Sequence, residues 1–207
     1  MQYLLDLDTR LFRWINGHYN DGMDWSMWVL SQHWAFAVVI VLLFVLLTMR
    51  REPRSWWVVG IGIALCFLFS DRISVMCFKD VVCRLRPCHA LEEVRMFRTH
   101  CGGQYGFVSS HAANVFALAM YFALRYRRRG GGVVATGLQG WWHRYGVTVV
   151  VMLWAVAVCY SRVYLGKHYP GDCLGGAIVG LAMGALVFYI LERLPWTRST
   201  RTNKTKQ

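Results

Sequence analysis

Five apolar runs make up most of the chain, each near the length of about 20 residues that crosses a bilayer as a helix. Arginine and lysine clusters separate several of the runs. Because backbone groups in lipid must find their hydrogen-bond partners within the segment, such runs predict an all-α integral membrane helical bundle. The predicted spans are residues 25–49, 56–78, 109–126, 145–165 and 174–194.

The first twenty residues do not continue this pattern, since leucines and Trp14 alternate with aspartates and arginines. This alternation predicts an amphipathic helix lying at the membrane interface. A soluble cap packed on the bundle is an equally good interpretation, and a crossing helix would raise the number of spans to six. We therefore expect an interfacial helix over 1–20, a membrane domain over 21–195 and a basic cytoplasmic tail over 196–207.

The formal net charge is +12, in a chain that is 56% hydrophobic. The basic residues lie between apolar runs, which favours anionic lipid over nucleic acid as the partner. Positive charge concentrates after the first, third and fifth spans, so these ends are predicted to be cytoplasmic. The connections over 79–108 and 162–172 are then predicted to face outward.

The first outward connection carries cations at a seven-residue spacing. Lys79 and Arg86 would share one helix face, with Arg72 on the same stripe and Pro87 ending the helix. Such a stripe could clamp an anion, because arginine offers a bidentate fork and lysine a point charge. The alternative is an interfacial basic stripe that extends toward the headgroups.

A second polar group stands at the start of the third span. Ser109 is suited to the N-cap position, and Ser110 and His111 follow it directly. Backbone amides at a helix start attract phosphate oxygens, and a histidine beside them could supply a proton. Taken alone, a capping serine with an incidental histidine is the simpler interpretation.

The connection before the fifth span carries the third group. Arg162 can bind a phosphate by two hydrogen bonds, and His168 stands just before Pro170, a residue favoured in the first turn of a helix. Asp172 lies one turn beyond His168 and can reach back to its imidazole. A carboxylate on one ring nitrogen makes the other nitrogen a better nucleophile or base.

Together the three groups resemble the type-2 phosphatidic acid phosphatase superfamily, the membrane lipid phosphatases related to vanadium haloperoxidases. The family's second signature has proline and glycine where this chain has Val108 and Ser110, and the other two signatures match fully. The resemblance spans about residues 20–195, and the stretch over 101–114 is similar to bacterial lipid A phosphatases. The matching segments are Lys79-x6-Arg86-Pro87, Val108-Ser109-Ser110-His111 and Ser161-Arg162-x5-His168-x3-Asp172.

This resemblance implies a haloperoxidase-like helical core and a division of catalytic roles. His168 would attack phosphorus to give a phosphohistidine, Asp172 would orient it, and His111 would protonate the leaving oxygen and then activate water. Side-chain cations would replace a metal, so neither a metal nor a cofactor is expected. The implied phosphate-binding residues are Lys79, Arg86, Ser109, Ser110 and Arg162.

The expected substrate is a membrane lipid phosphate, handled at the periplasmic face of a bacterial inner membrane. Candidates are a lipid A-type phosphate, undecaprenyl diphosphate, phosphatidylglycerol phosphate and phosphatidic acid. A phosphotransferase with the same site is an alternative, as is a non-catalytic transporter that binds an anion. The sequence does not indicate the oligomeric state.

Two of the seven cysteines, Cys88 and Cys101, bracket a segment expected to form a lid over the site. If this connection faces outward, it lies in an oxidising compartment, where disulfides persist. We therefore predict a Cys88–Cys101 disulfide, with Cys83 as a competing partner and free thiols as the alternative.

Overall fold

A computed structural model describes residues 2–50, 56–129 and 137–194. The predicted tail over 196–207 and the basic residues Arg51 and Arg54 lie outside the described residues. The helices are α1 (Gln2–Gly17), α2 (Asp21–Leu30), α3 (His33–Arg50), α4 (Trp56–Ile73), a π-helical turn (Ser74–Lys79), α5 (Asp80–Val82), α6 (Pro87–Ala90), α7 (Ser110–Arg129), α8 (Gly137–Tyr164) and α9 (Pro170–Arg193).

Three described stretches are long and apolar enough to cross a membrane, namely Trp56–Val82, Tyr145–Tyr164 and Pro170–Arg193. A fourth candidate is the α2–α3 pair, which the sequence predicted as one span but which bends by 62° between Leu30 and His33. The described residues therefore support three to four spans, and the predicted five to six are not confirmed.

The predicted span over 109–126 corresponds to α7, which is not among these candidates. Polar residues occupy its first turns, and arginines occupy its C-terminal end. The helix packs against α4, α8 and α9, and most of its described residues are buried. A helix enclosed by protein does not need the apolar surface of a lipid-facing span.

Helices α7 and α9 approach closely along a stripe of glycines at every fourth position. A Cβ atom added to Gly180 would lie 2.3 Å from the carbonyl oxygen of Ala113. At Gly184 the same atom would lie 2.1 Å from the carbonyl oxygen of Ala117. This close approach agrees with the helix packing that small residues every four positions predict in membranes.

Replacing Gly180 with alanine should therefore push α7 and α9 apart. We expect the free energy of unfolding to fall by about 2 kcal/mol, the usual cost of overpacking a core. Gly60→Ala in α4 is the matched control, because its added Cβ would meet nothing closer than Phe44 at 3.9 Å. Thermal unfolding in detergent measures both variants, and equal melting temperatures would contradict the close-packing interpretation.

Helix α1 lies on the bundle without joining its spans. Phe12 is buried, and its ring meets that of Tyr169 with centroids 5.5 Å apart. Asn16 donates hydrogen bonds to the backbone oxygens of Arg95 and Tyr164. Leu4 and Trp14, by contrast, are exposed. The helix thus caps the bundle with one face while the other carries the apolar residues expected at an interface.

Candidate active site

The residues of the three motifs meet at one end of the bundle. This end collects the C-terminal ends of α4 and α8, the N-terminal ends of α7 and α9, and the long connection over 83–109. The two helix C-termini and two helix N-termini bring together residues that are up to 93 positions apart in the sequence. All eight residues predicted for catalysis and phosphate binding lie in this region.

The first motif reaches the site by a different route from the predicted one. A continuous helix carrying Lys79 and Arg86 on one face is wrong, because the helix ends at Val82 and Cys83 adopts a left-handed conformation with φ 49°. Arg86 has extended backbone, and Pro87 begins the short helix α6 instead of ending one. Lys79 is the last residue of the π-helical turn, and such turns are frequent at functional sites.

Backbone carbonyl oxygens of the connection hold the Arg86 guanidinium in place. Its Nε donates to the oxygen of Tyr105 and its Nη1 to that of Cys101, each at 3.2 Å. Gly106 leaves room beside it, since an added Cβ would lie 2.9 Å from Oδ2 of Asp172 and 3.2 Å from Cγ of Arg86. No larger residue fits between this cation and this carboxylate.

The second motif begins α7 as predicted. Ser109 is fully buried, and its Oγ accepts a hydrogen bond from the amide of Ala112 at 3.4 Å. The amide of Ser109 donates to the backbone oxygen of Asp172 at 3.0 Å, which ties the second motif to the third. Lys79 Nζ donates to Ser110 Oγ at 2.8 Å, which connects the second motif to the first motif.

Arg162, in the last turn of α8, is 4% exposed. Its Nη1 donates to Oγ of Ser31, at the bend between α2 and α3. Its Nε is buried and meets no acceptor in the part of the chain that the structure describes. A buried guanidinium nitrogen without an acceptor is costly, and an oxygen of a bound phosphate would remove that cost.

His168 is 2% exposed, and its Nδ1 lies 3.5 Å from Oδ2 of Asp172. That separation is longer than a good hydrogen bond, and catalytic contacts often tighten only when substrate binds. Burial, together with the positive charges of Arg162 and Arg86, lowers the pKa of His168 well below its ordinary value. The imidazole is therefore neutral at physiological pH, as a nucleophile must be.

Four residues around the site were not predicted as part of it. Arg84 donates to Asp172, Asp8 pairs with Arg84, Ser31 bonds Arg162, and the ring of His33 lies 5.4 Å from that of His111 between centroids. Only Arg84 had a signal in the sequence, since it lies inside the first motif. The others belong to α1 and to the α2–α3 bend, whose contacts the sequence does not reveal.

A small cavity of about 80 Å³ opens beside His111 at the bend between α2 and α3. Its walls combine apolar side chains with a few polar groups, as is usual for ligand pockets. Ser31 in the wall of the cavity accepts a hydrogen bond from Arg162, so the cavity lies next to one of the residues predicted to bind phosphate. The lining residues include Leu30, Gln32, His33, Phe36, Phe67 and Asn114.

The connection over 83–109 folds against α1, α2 and α8 at the end of the bundle where the three motifs meet. Cys88 and Cys101 form a disulfide within it, with Cα atoms 5.8 Å apart, and Cys83 is a free thiol. Arg95 forms an ion pair with the buried carboxylate of Asp24. Arg95 therefore ties the connection to α2.

Comparison with known proteins finds matches along most of the chain. Residues 63–196 match the PAP2 superfamily. A lipid A 4'-phosphatase of Bacteroides thetaiotaomicron is 30% identical over 94% of this chain and 81% of its own length. The corresponding figures for a lipid A 4'-phosphatase of Porphyromonas gingivalis are 29%, 95% and 78%.

A solved structure supports the same assignment at the level of the fold. It is that of a transmembrane PAP2-type phosphatidylglycerolphosphate phosphatase from Bacillus subtilis, with a TM-score of 0.70 at 21% identity. The match covers 94% of this chain and 89% of that one.

Proposed function

Because the chain belongs to the PAP2 superfamily and is a membrane phosphatase, we propose that it hydrolyses a phosphomonoester of a lipid A-type lipid through a phosphohistidine at His168. The observation that carries this proposal is a pair of buried groups: His168, whose Nδ1 lies 3.5 Å from Oδ2 of Asp172, and Arg162, whose Nε meets no acceptor among the described residues. The names of the two relatives found in Bacteroides and Porphyromonas support lipid A as the substrate class.

In the first step, Nε2 of His168 attacks phosphorus, and the bond from phosphorus to the lipid oxygen breaks. Nδ1 faces Asp172, so Nε2 is the nitrogen available for attack. His111 gives a proton to the departing lipid oxygen. The phosphoryl oxygens are held by the cations and by the serines at the start of α7, because phosphoryl transfer depends mainly on positioning and charge stabilisation.

In the second step, His111 takes a proton from a water molecule as the water oxygen attacks phosphorus. The bond from phosphorus to Nε2 breaks, inorganic phosphate leaves, and His168 regains its starting form. His111 lines the cavity at the α2–α3 bend, so lipid atoms that enter this cavity would bring the leaving oxygen next to its proposed proton donor.

The periplasmic face of a bacterial inner membrane is the proposed location of the site. Two observations support it. The arginines that follow Tyr126 lie at the opposite end of α7 from the site, as expected if the positive end is cytoplasmic. The Cys88–Cys101 disulfide lies in the connection beside the site, and disulfides persist in oxidising compartments.

A lipid panel tests the reaction and the substrate class together. Purified protein in detergent receives lipid A-type phosphate, undecaprenyl diphosphate, phosphatidylglycerol phosphate and phosphatidic acid, each with and without a chelator. We expect phosphate release to be fastest from the lipid A-type substrate and unchanged by the chelator. Preference for another lipid would overturn the substrate class. Transfer of labelled phosphate to an acceptor lipid would identify a phosphotransferase, and no turnover of any lipid would contradict the proposal.

Lys167 provides a prediction for the pH dependence. Burial and the neighbouring Arg162 and Arg86 lower the pKa of Lys167 to about 8. Its ammonium group is thus charged below pH 8 and neutral above it, so binding of an anionic substrate should weaken as the pH rises through this value. We expect an alkaline decline in kcat/KM near pH 8 in the wild-type protein.

Lys167→Arg keeps the charge at higher pH, so the decline should move upward by at least one pH unit. Lys167→Gln should lower kcat/KM about tenfold at pH 7 and flatten the profile between pH 7 and 9. A decline at the same pH in all three proteins would assign the alkaline limb to another group.

A further inference from the structure

Arg84 lies between two carboxylates that are 164 positions apart in the sequence. Its Nη1 donates to Oδ1 of Asp172 at 2.9 Å, and its Nη2 lies 2.7 Å from Oδ2 of Asp8. The guanidinium also stacks on the ring of Tyr169, 4.0 Å from the centroid. Three contacts therefore determine the position of the Arg84 guanidinium beside Asp172.

Asp8 contacts the site with both of its oxygens. While Oδ2 pairs with Arg84, Oδ1 accepts a hydrogen bond from the amide of Gly171 at 2.7 Å. Gly171 is in the first turn of α9, where a negative charge is stabilised by exposed amides and by the helix dipole. A residue of α1 thus holds both Arg84 and the start of the helix that carries Asp172.

The buried environment explains why Asp172 needs this support. The Asp172 side chain is fully buried, and its other hydrogen bond is from the amide of Tyr169 to Oδ2 at 3.0 Å. An ionised carboxylate without a cation is strongly disfavoured in such surroundings. Arg84 supplies the cation, and Asp8 restrains Arg84 so that it stays on the side of Asp172 away from the imidazole.

We propose that Asp8 and Arg84 are positioning residues for the nucleophile. Asp8 orients Arg84, and Arg84 keeps Asp172 ionised and aimed at Nδ1 of His168. The proposal rests on the proposed function, in which His168 attacks phosphorus. It gives α1 a role in catalysis in addition to its place at the membrane surface.

Asp8→Asn removes the charge but leaves an oxygen for the amide of Gly171, so it separates orientation of Arg84 from capping of α9. Asp6→Asn is the matched control, because Asp6 is an exposed aspartate of the same helix. Turnover of p-nitrophenyl phosphate gives kcat and KM, and rapid quenching gives the rate of phosphoenzyme formation. Melting temperatures in detergent report any loss of stability.

We expect Asp8→Asn to lower kcat and the rate of phosphoenzyme formation about tenfold, and Arg84→Gln to lower them about a hundredfold. Losses of this size are usual when a residue that orients a metal-binding side chain is replaced, and the same physical reason applies to a residue that orients Asp172. KM should change less than about twofold in both, since the lost contacts act on the reacting group. Arg84→Lys should recover part of the rate because it keeps the charge. The double variant should be no slower than Arg84→Gln alone, because Asp8 acts through Arg84.

Three results would overturn the proposal. They are multiplicative losses in the double variant, a rise in KM with kcat unchanged, and equal rates for Asp8→Asn and Asp6→Asn. If Asp8→Asn fails to fold, Asp8→Glu keeps the charge while displacing it, and an unchanged kcat in that variant counts against the proposal. Activity retained by His168→Ala would instead contradict the proposed function, so the two failures can be told apart.

Discussion

Replacing His168 with alanine should abolish phosphate release from every lipid in the panel, with kcat falling at least about a thousandfold. The reason is that alanine removes the atom that forms the bond to phosphorus, and the remaining cations can bind phosphate but cannot attack it. Because the imidazole is buried beside Asp172, its removal leaves a small cavity, and the cations proposed to hold the phosphate remain. Substrate binding should therefore survive the loss of turnover.

Two measurements separate this outcome from misfolding. Wild-type protein quenched during turnover of ³²P-labelled substrate should carry acid-labile label, and the variant should carry none. Binding of inorganic phosphate, measured by calorimetry, should be retained in the variant within about tenfold. Residual labelling of a correctly folded His168→Ala protein would show that another residue is the nucleophile.

Replacing His111 with alanine should produce a loss that depends on the leaving group. Lipid phosphates release a strongly basic oxygen that needs a proton, so kcat on them should fall about a thousandfold, within the range for general acid–base catalysis. p-Nitrophenyl phosphate releases a stable anion that needs no proton, so its first step should be slowed much less. Hydrolysis of the phosphohistidine still requires a base, so the second step should be slow for both substrates.

The variant should therefore release about one equivalent of p-nitrophenolate per enzyme in a burst and then stop, with phosphohistidine accumulating. Rapid mixing measures the burst, and labelled phosphate measures the trapped intermediate. His18→Ala is a suitable control, since His18 is an exposed histidine on the surface of the bundle. Equal losses on both substrates, with no burst, would remove His111 from the acid and base roles.

The difference between the predicted and observed first motif shows why spacing alone is a limited guide. A spacing of seven is compatible with one helix face, yet the helix ends at Val82 and Arg86 reaches the site from extended backbone. The predicted phosphate-binding role of Arg86 does not depend on that helix, because a long cation can reach an anion from several backbone conformations. The backbone path is held by hydrogen bonds from the amides of Arg86 and Gly106 to the backbone oxygens of Gln104 and Arg84, which the spacing does not encode.

The predicted first span shows a similar limit. Hydropathy averaged over 25–49 favours one helix, although Ser31, Gln32 and His33 at the break are polar. The structure instead bends by 62° there, and Ser31 at the bend accepts a hydrogen bond from Arg162 of α8. The break contains neither glycine nor proline, so three polar residues are its local sign. The angle of the bend depends on tertiary contacts such as the one between Ser31 and Arg162.

What the sequence determined by itself is the class of protein and its family. Apolar length requires a helical membrane protein because lipid offers the backbone no hydrogen bonds, and the three spaced motifs carry the resemblance to the PAP2 superfamily, to which the chain belongs. Only the tertiary structure decided what supports the site. Asp8, Arg84 and Asp172 meet because α1 folds back onto the first turn of α9. Contacts between residues so far apart in sequence depend on the packing of whole helices, and no local pattern encodes them.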